Sequence, residues 1–160
     1  MPVGWNDIAF VPDPELARET GAAWSWLVPA PWRVLVCAMV GGIFLESDAG
    51  KVRWLDIGAG LAEDVADSVE AFEAILRSDA PVVEEWFLPG LVEALYEAGK
   101  RPGPGEAFWF IIPPVFAEGR YSADNMAIVP IREQLLASAD LHRQLADLPE
   151  GATVRMKVVD

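Results

Sequence analysis

Apolar and polar positions change their period several times along the chain, and each change predicts an element. Asp13-Pro14 opens the first helix, because Asp is a good N-cap and proline is tolerated at the first helical position. This helix is expected over 14–27, with Leu16, Ala23, Trp24 and Leu27 apolar, before Pro29 and Pro31 stop it. Val34-Leu35-Val36-Cys37-Ala38 reads as a buried strand, broken at Gly41-Gly42. The sharpest local signal follows. Ile43–Glu46 and Lys51–Ile57 flank Ser47-Asp48-Ala49-Gly50, a short loop with Gly where a left-handed residue is wanted, and this predicts a β-hairpin.

A further short strand is expected around Leu61–Val65. Ser68 then caps a helix whose stripe is Val69, Phe72, Ile75 and Leu76. Pro81 starts a new helix with Val82, Val83, Trp86 and Phe87 inside, and Pro89 interrupts it to begin another that Gly99 ends. Ala107–Ile112 is apolar on both faces and stops at Pro113-Pro114, the pattern of a central strand. Met126–Val129 adds a strand and 131–147 a helix. Val154, Met156 and Val158 alternate with Arg155, Lys157 and Val159 as a half-buried edge strand. The expected fold is α+β: a single domain, 1–160, with a mostly antiparallel sheet of five or six strands and helices packed on one face.

Composition narrows the function. At 160 residues and 52% apolar the chain can bury a core without staples. Lys and Arg number 12 against 25 Asp and Glu, a net charge of −13, so the surface repels phosphate backbones and anionic lipid. Neither a nucleic-acid nor a membrane partner is expected. The start has no basic region followed by an apolar one, and Val34–Leu45 is too short to cross a bilayer, so a cytoplasmic location is expected.

Candidate chemistry is sparse. With one Cys (Cys37) and one His (His142), an internal disulfide and the usual Cys/His zinc sites are excluded, and no cofactor is expected. At about 100° per residue, Ala139, Ala146 and His142 fall within about 40° of Leu135, so His142 is read as a packed, hydrogen-bonded core residue. Cys37 lies in an apolar run, where a thiol stays protonated and inert. Gly58-Ala59-Gly60 and Gly103-Pro104-Gly105 lack the other glycines of a dinucleotide fingerprint and read as turns. Asp48 and Asp56 bracket the hairpin without a calcium-loop spacing. No pair of carboxylates stands out as a hydrolytic couple.

Glu63 to Glu97 differs in kind, with ten acids opposing Arg77 alone. Solvated surface is one reading; a docking face for a basic partner is the other. The partner-binding candidates are Glu63, Asp64, Asp67, Glu70, Glu73, Glu84 and Glu85. Seven tryptophans form the second unusual feature. Trp24 and Trp26 cannot share a helix face, so at least one is expected at the surface, and Trp26 joins the partner-binding set as an aromatic anchor.

The order of these pieces resembles a bacterial domain family found as the C-terminal domain of type VI secretion immunity proteins, near the SMI/KNR-like immunity folds. The residues that carry the resemblance begin with Gly42-Ile43-Phe44-Leu45 and Gly50-Lys51-Val52-Arg53-Trp54-Leu55-Asp56, a hairpin ending in an aromatic-x-Asp step. Val65–Phe72 follows as a helix start, then Gly105-Glu106-Ala107-Phe108-Trp109-Phe110 leading to Pro113-Pro114. Tyr121 with Asn125, Leu141–Leu145 and Leu148-Pro149-Glu150-Gly151 complete it, over residues 14–155. The sequence departs at Ala117-Glu118-Gly119, where that family usually carries a Gly-Gly pair. The resemblance implies a non-catalytic binder that occludes a cognate protein toxin, such as a basic nuclease. An adaptor of the same fold that forms a homodimer through an apolar, Trp-lined patch is the alternative. A carboxylate-based hydrolase is a more distant one.

Overall fold

Residues 2–149 and 151–154 are described by a computed structural model of the chain. Five strands form one antiparallel meander in chain order: β1 (Ala9–Phe10), β2 (Trp32–Ala38), β3 (Gly42–Ser47), β4 (Val52–Asp56) and β5 (Leu61–Ala66). The predicted hairpin is β3–β4, with Phe44 opposite Trp54 and Gly42 opposite Asp56. Gly50 occupies its turn at φ +84°, a conformation that costs glycine no steric penalty.

Helix α1 (Trp5–Ile8) precedes the helix that Asp13 caps, α2 (Pro14–Ala23), which ends sooner than its apolar spacing predicts. Three helices follow β5: α3 (Val69–Ser78), α4 (Ala80–Phe87) and α5 (Pro89–Glu97). Their boundaries follow the side chains that satisfy helix-end amides. Ser68 Oγ accepts from the Ala71 amide at 3.0 Å, and Asp79 Oδ1 accepts from the Val82 amide at 3.2 Å. Leu88, at φ +53°, separates α4 from α5 just before Pro89.

Strands β6 (Glu106–Phe110) and β7 (Met126–Pro130) form a second, two-stranded antiparallel sheet, and α6 (Ile131–Leu145) follows. This corrects the reading of Ala107–Ile112 as a central strand of the main sheet. The apolar content of β6 serves packing against α6 and the main sheet instead. Phe108 meets Val40 in a parallel bridge, and the Phe108 amide donates to the Met39 carbonyl at 3.0 Å. The predicted strand at 154–158 lies largely outside the described residues.

The chain is α+β and forms a single domain. Its helices, however, occupy both faces of the five-stranded sheet rather than one. Val36, Ala38, Phe44 and Val52 point into a core shared with Phe72, Trp86, Phe87, Val92 and Leu95 of α3–α5. Their neighbours Cys37, Ile43, Leu45, Leu55 and Ile57 point the other way, into a core with Trp24, Val28, and Leu135 and Ala139 of α6. Strand side chains alternate, so the uninterrupted apolar stretch of β2–β3 has no face to give to water. Phe44 is the hub of the first core. Its ring centroid lies 5.0 Å from Phe72, 5.2 Å from Trp86 and 5.2 Å from Phe87. Burying each such ring contributes roughly 1.5–3 kcal/mol.

Candidate functional site

Alternation along β4 places Trp54 and Asp56 on the same face as Phe44, beneath α4. There the end of β4, the β2–β3 turn, α4 and the loop before β7 enclose a cleft of about 290 Å³. Trp54, Trp86 and Tyr121 supply its aromatic walls, Asp56 and Glu85 its carboxylates, and Gly41 part of its floor. The indoles of Trp54 and Trp86 are 6.3 Å apart at 49°. Tyr121 stands edge-on to Phe110, with 5.1 Å between ring centroids.

Asp56 is positioned by a local turn. Its Oδ1 accepts from the amides of Gly58 at 3.0 Å and Ala59 at 3.3 Å, the Asx geometry that Asp favours at the end of a strand. Burial pushes its carboxyl above the usual carboxylate range, those two amides work against the shift, and the charges of Glu63 and Glu85 add to it. Burial also raises the Tyr121 hydroxyl to about 12, with the charge of Asp56 adding to it.

The turn is held from below by His142. This buried ring is hydrogen-bonded to the Ile57 carbonyl from α6, and burial lowers its pKa although that bond opposes the shift. The core reading of His142 thus agrees with its environment. Cys37 is fully buried, and desolvation raises its thiol pKa. Among the described residues no cluster of three or more His, Cys, Asp or Glu could hold a metal ion, and no helix is long and apolar enough to cross a membrane.

The acid-rich segment does not act as one surface. Glu63 lies opposite Trp54 on β5, and its charge and that of Glu85 on α4 both reach Asp56. Asp64, its neighbour on β5, turns to the other face and sits 3.2 Å from Arg53. Glu84 is engaged at the α4–α5 junction, where Oε1 accepts from the Gly90 amide at 3.1 Å and satisfies the start of α5. Asp67 is exposed between β5 and α3, and Glu70 and Glu73 are exposed on α3. Strand β5 is also an edge of its sheet, where charge deters pairing with another chain.

Trp26 belongs elsewhere. It is half-buried in the α2–α6 layer and stacked 5.9 Å from the fully buried Trp24, across the sheet from the cleft. Both indoles pack inward because α2 ends at Ala23, before either of them, so helical spacing no longer governs where they point.

The cleft residues Trp54, Trp86 and Tyr121 escaped the sequence reading as a site, and Asp56 was seen there only as a hairpin flank. Their signal was present in part: Trp54 and Asp56 are two apart on a strand and must share a face. What joins them to Glu85 and Tyr121 is tertiary packing.

No protein-family model and no curated protein matches the chain. Among solved structures, the crystal structure of Atu4351 from Agrobacterium tumefaciens is similar to it, with a TM-score of 0.56 at 14% identity, over 84% of this chain and 67% of that one. At that identity the likeness concerns the fold alone.

Proposed function

We propose that this protein is a non-catalytic, cytoplasmic binding domain that captures a basic protein, in the manner of an immunity protein that occludes a cognate toxin. The observation that carries this reading is the convergence of Glu63, Asp56 and Glu85 from three elements. Among the described residues the ion pairs are Arg33–Glu46, Arg53–Asp64 and Arg132–Glu19, and none of them neutralises that group. Uncompensated charge of one sign around a concave, aromatic-walled site attracts a partner of the other sign and accelerates its arrival. The net charge of −13 extends the same preference over the whole surface.

The test is capture from a lysate of the source cell at low salt, with the bound protein identified by mass spectrometry. A Glu73→Lys/Glu85→Lys variant serves as comparison, because both side chains are exposed and neither makes a hydrogen bond or ion pair within the described residues. The expected result is a basic protein that wild type retains, that the variant loses, and that elutes as salt rises. Failure to retain any basic protein from cells expressing the neighbouring genes, together with a dimer in sizing, would favour the homodimeric adaptor instead.

A further inference from the structure

The cleft is more selective than an acidic face. Asp56 uses Oδ1 to hold its own turn, and among the described residues Oδ2 has no protein donor. The charges that reach Asp56 are those of Glu63 and Glu85, both negative. A partly buried carboxylate facing only like charge is costly unless something outside the chain completes it. Around it stand the aromatic rings of Trp54, Trp86 and Tyr121, whose π-faces attract cations.

We propose that this cleft receives an arginine side chain of the protein partner, its guanidinium meeting Asp56 and Glu85 and stacking on the indoles. The inference rests on the protein-binding reading above and deepens it by naming the group recognised. Size and chemistry select this occupant. About 290 Å³ lies at the lower limit of small-molecule pockets, which suits one side chain better than a nucleotide or cofactor. Two carboxylates, one of them half engaged, offer too few oxygens for a calcium ion, which takes about six to eight. Anionic ligands are repelled. Between the two basic side chains, arginine fits better, because its planar fork meets carboxylates two bonds at a time and lies flat on aromatic rings, whereas an ammonium is compact and strongly hydrated.

The experiment titrates the intact ¹⁵N-labelled chain with a capped Gly-Arg-Gly peptide, and with the same peptide carrying lysine or citrulline in place of arginine. Saturable shifts of the Trp54 and Trp86 indole N–H signals are expected with arginine, with binding at least about fivefold weaker for lysine and none for the neutral citrulline. Asp56→Asn and Glu85→Gln should each weaken the arginine peptide by roughly tenfold, and Glu133→Gln, exposed on α6 across the sheet from the cleft, should leave it unchanged. Glu85 is exposed, so its variant keeps the test decisive should Asp56→Asn disturb the turn. Arginine binding without capture of a basic partner would remove the functional reading and keep the cleft. Capture of such a partner without arginine binding would do the reverse. Equal binding of arginine and citrulline, or shifts scattered over Glu63–Glu97 that Asp56→Asn does not alter, would overturn the proposal.

Discussion

His142 Nε2 donates to the Ile57 carbonyl at 2.7 Å, across 85 residues of chain, and so fastens the last helix to the turn that carries Asp56. In the neutral ring this bond places the proton on Nε2 and leaves Nδ1, on the Gly60 side, as the acceptor nitrogen. A core histidine thereby fixes the backbone on which the half-buried carboxylate of the cleft stands.

Acid should destabilise the protein through this residue, because burial penalises the imidazolium although its bond to Ile57 persists. Burial lowers the His142 pKa below the ordinary 6.5 in the folded protein, so the unfolded chain binds a proton first as pH falls. Stability from this residue is complete above about 6.5 and is lost progressively below it. Thermal melts from pH 7.5 to 5.5 should therefore decline more steeply for wild type than for His142→Gln, whose amide can still donate but does not titrate. The variant itself should cost about 1–2 kcal/mol at pH 7.5 through lost packing. Parallel pH profiles would exclude the linkage. Asp56 works in the opposite sense at lower pH: its pKa is raised above the ordinary 3.8, so its contribution is lost as pH rises through that region.

Gly60 and Gly50 both adopt positive φ, +73° and +84°, but their surroundings differ. A Cβ at Gly50 meets nothing within 4 Å, so Gly50→Ala should cost only the backbone penalty, about 1–2 kcal/mol. A Cβ at Gly60 would lie 2.5 Å from His142 Nδ1, on a ring already held by its hydrogen bond. Gly60→Ala should add an overpacking cost of roughly 1–3 kcal/mol. Urea midpoints of the two variants measure the difference, and equal losses would mean that the ring yields.

The hairpin and its turn, the caps at Ser68 and Asp13 and the break at Pro89 were legible because each depends on residues a few positions apart. The expectation of helices on one face was wrong although β2 and β3 carried the sign: Val34–Ala38 and Ile43–Leu45 contain no alternation, the mark of strands covered on both faces. The position of β6 was not legible, since an apolar run does not say which strand it pairs with. Nor was the cleft, whose residues lie as far apart as Val40 and Tyr121. Trp26 misled because helical geometry was extended beyond Ala23, where the helix stops.

Gln134 was absent from the sequence reading although it is fully buried. Its Nε2 donates to the carbonyls of Met39 and Phe108, each at 2.8 Å, and so joins the two sheets where Val40 and Phe108 meet. Gln134→Glu removes both donations and places an acid against two carbonyls, which should cost roughly 3–5 kcal/mol. Gln134→Leu also loses the bonds and takes the amide donor from the Phe108 carbonyl, but it introduces no charge and removes the unpartnered Oε1, so it should cost roughly 1–3 kcal/mol. Chemical denaturation should rank Glu below Leu below wild type, and a tolerated Glu would contradict this role for the amide.

The cleft draws its walls from four stretches of chain: Val40–Gly41, Trp54–Asp56, Glu85–Leu88 and Tyr121. The unfolded polypeptide therefore has no counterpart of it, and whatever occupies it is bound by the native state alone. Occupancy and folding become two readings of one equilibrium. A guest at one hundred times its dissociation constant would add about 2.7 kcal/mol to stability, so the melting temperature of the protein itself is a gauge of what the cleft accepts.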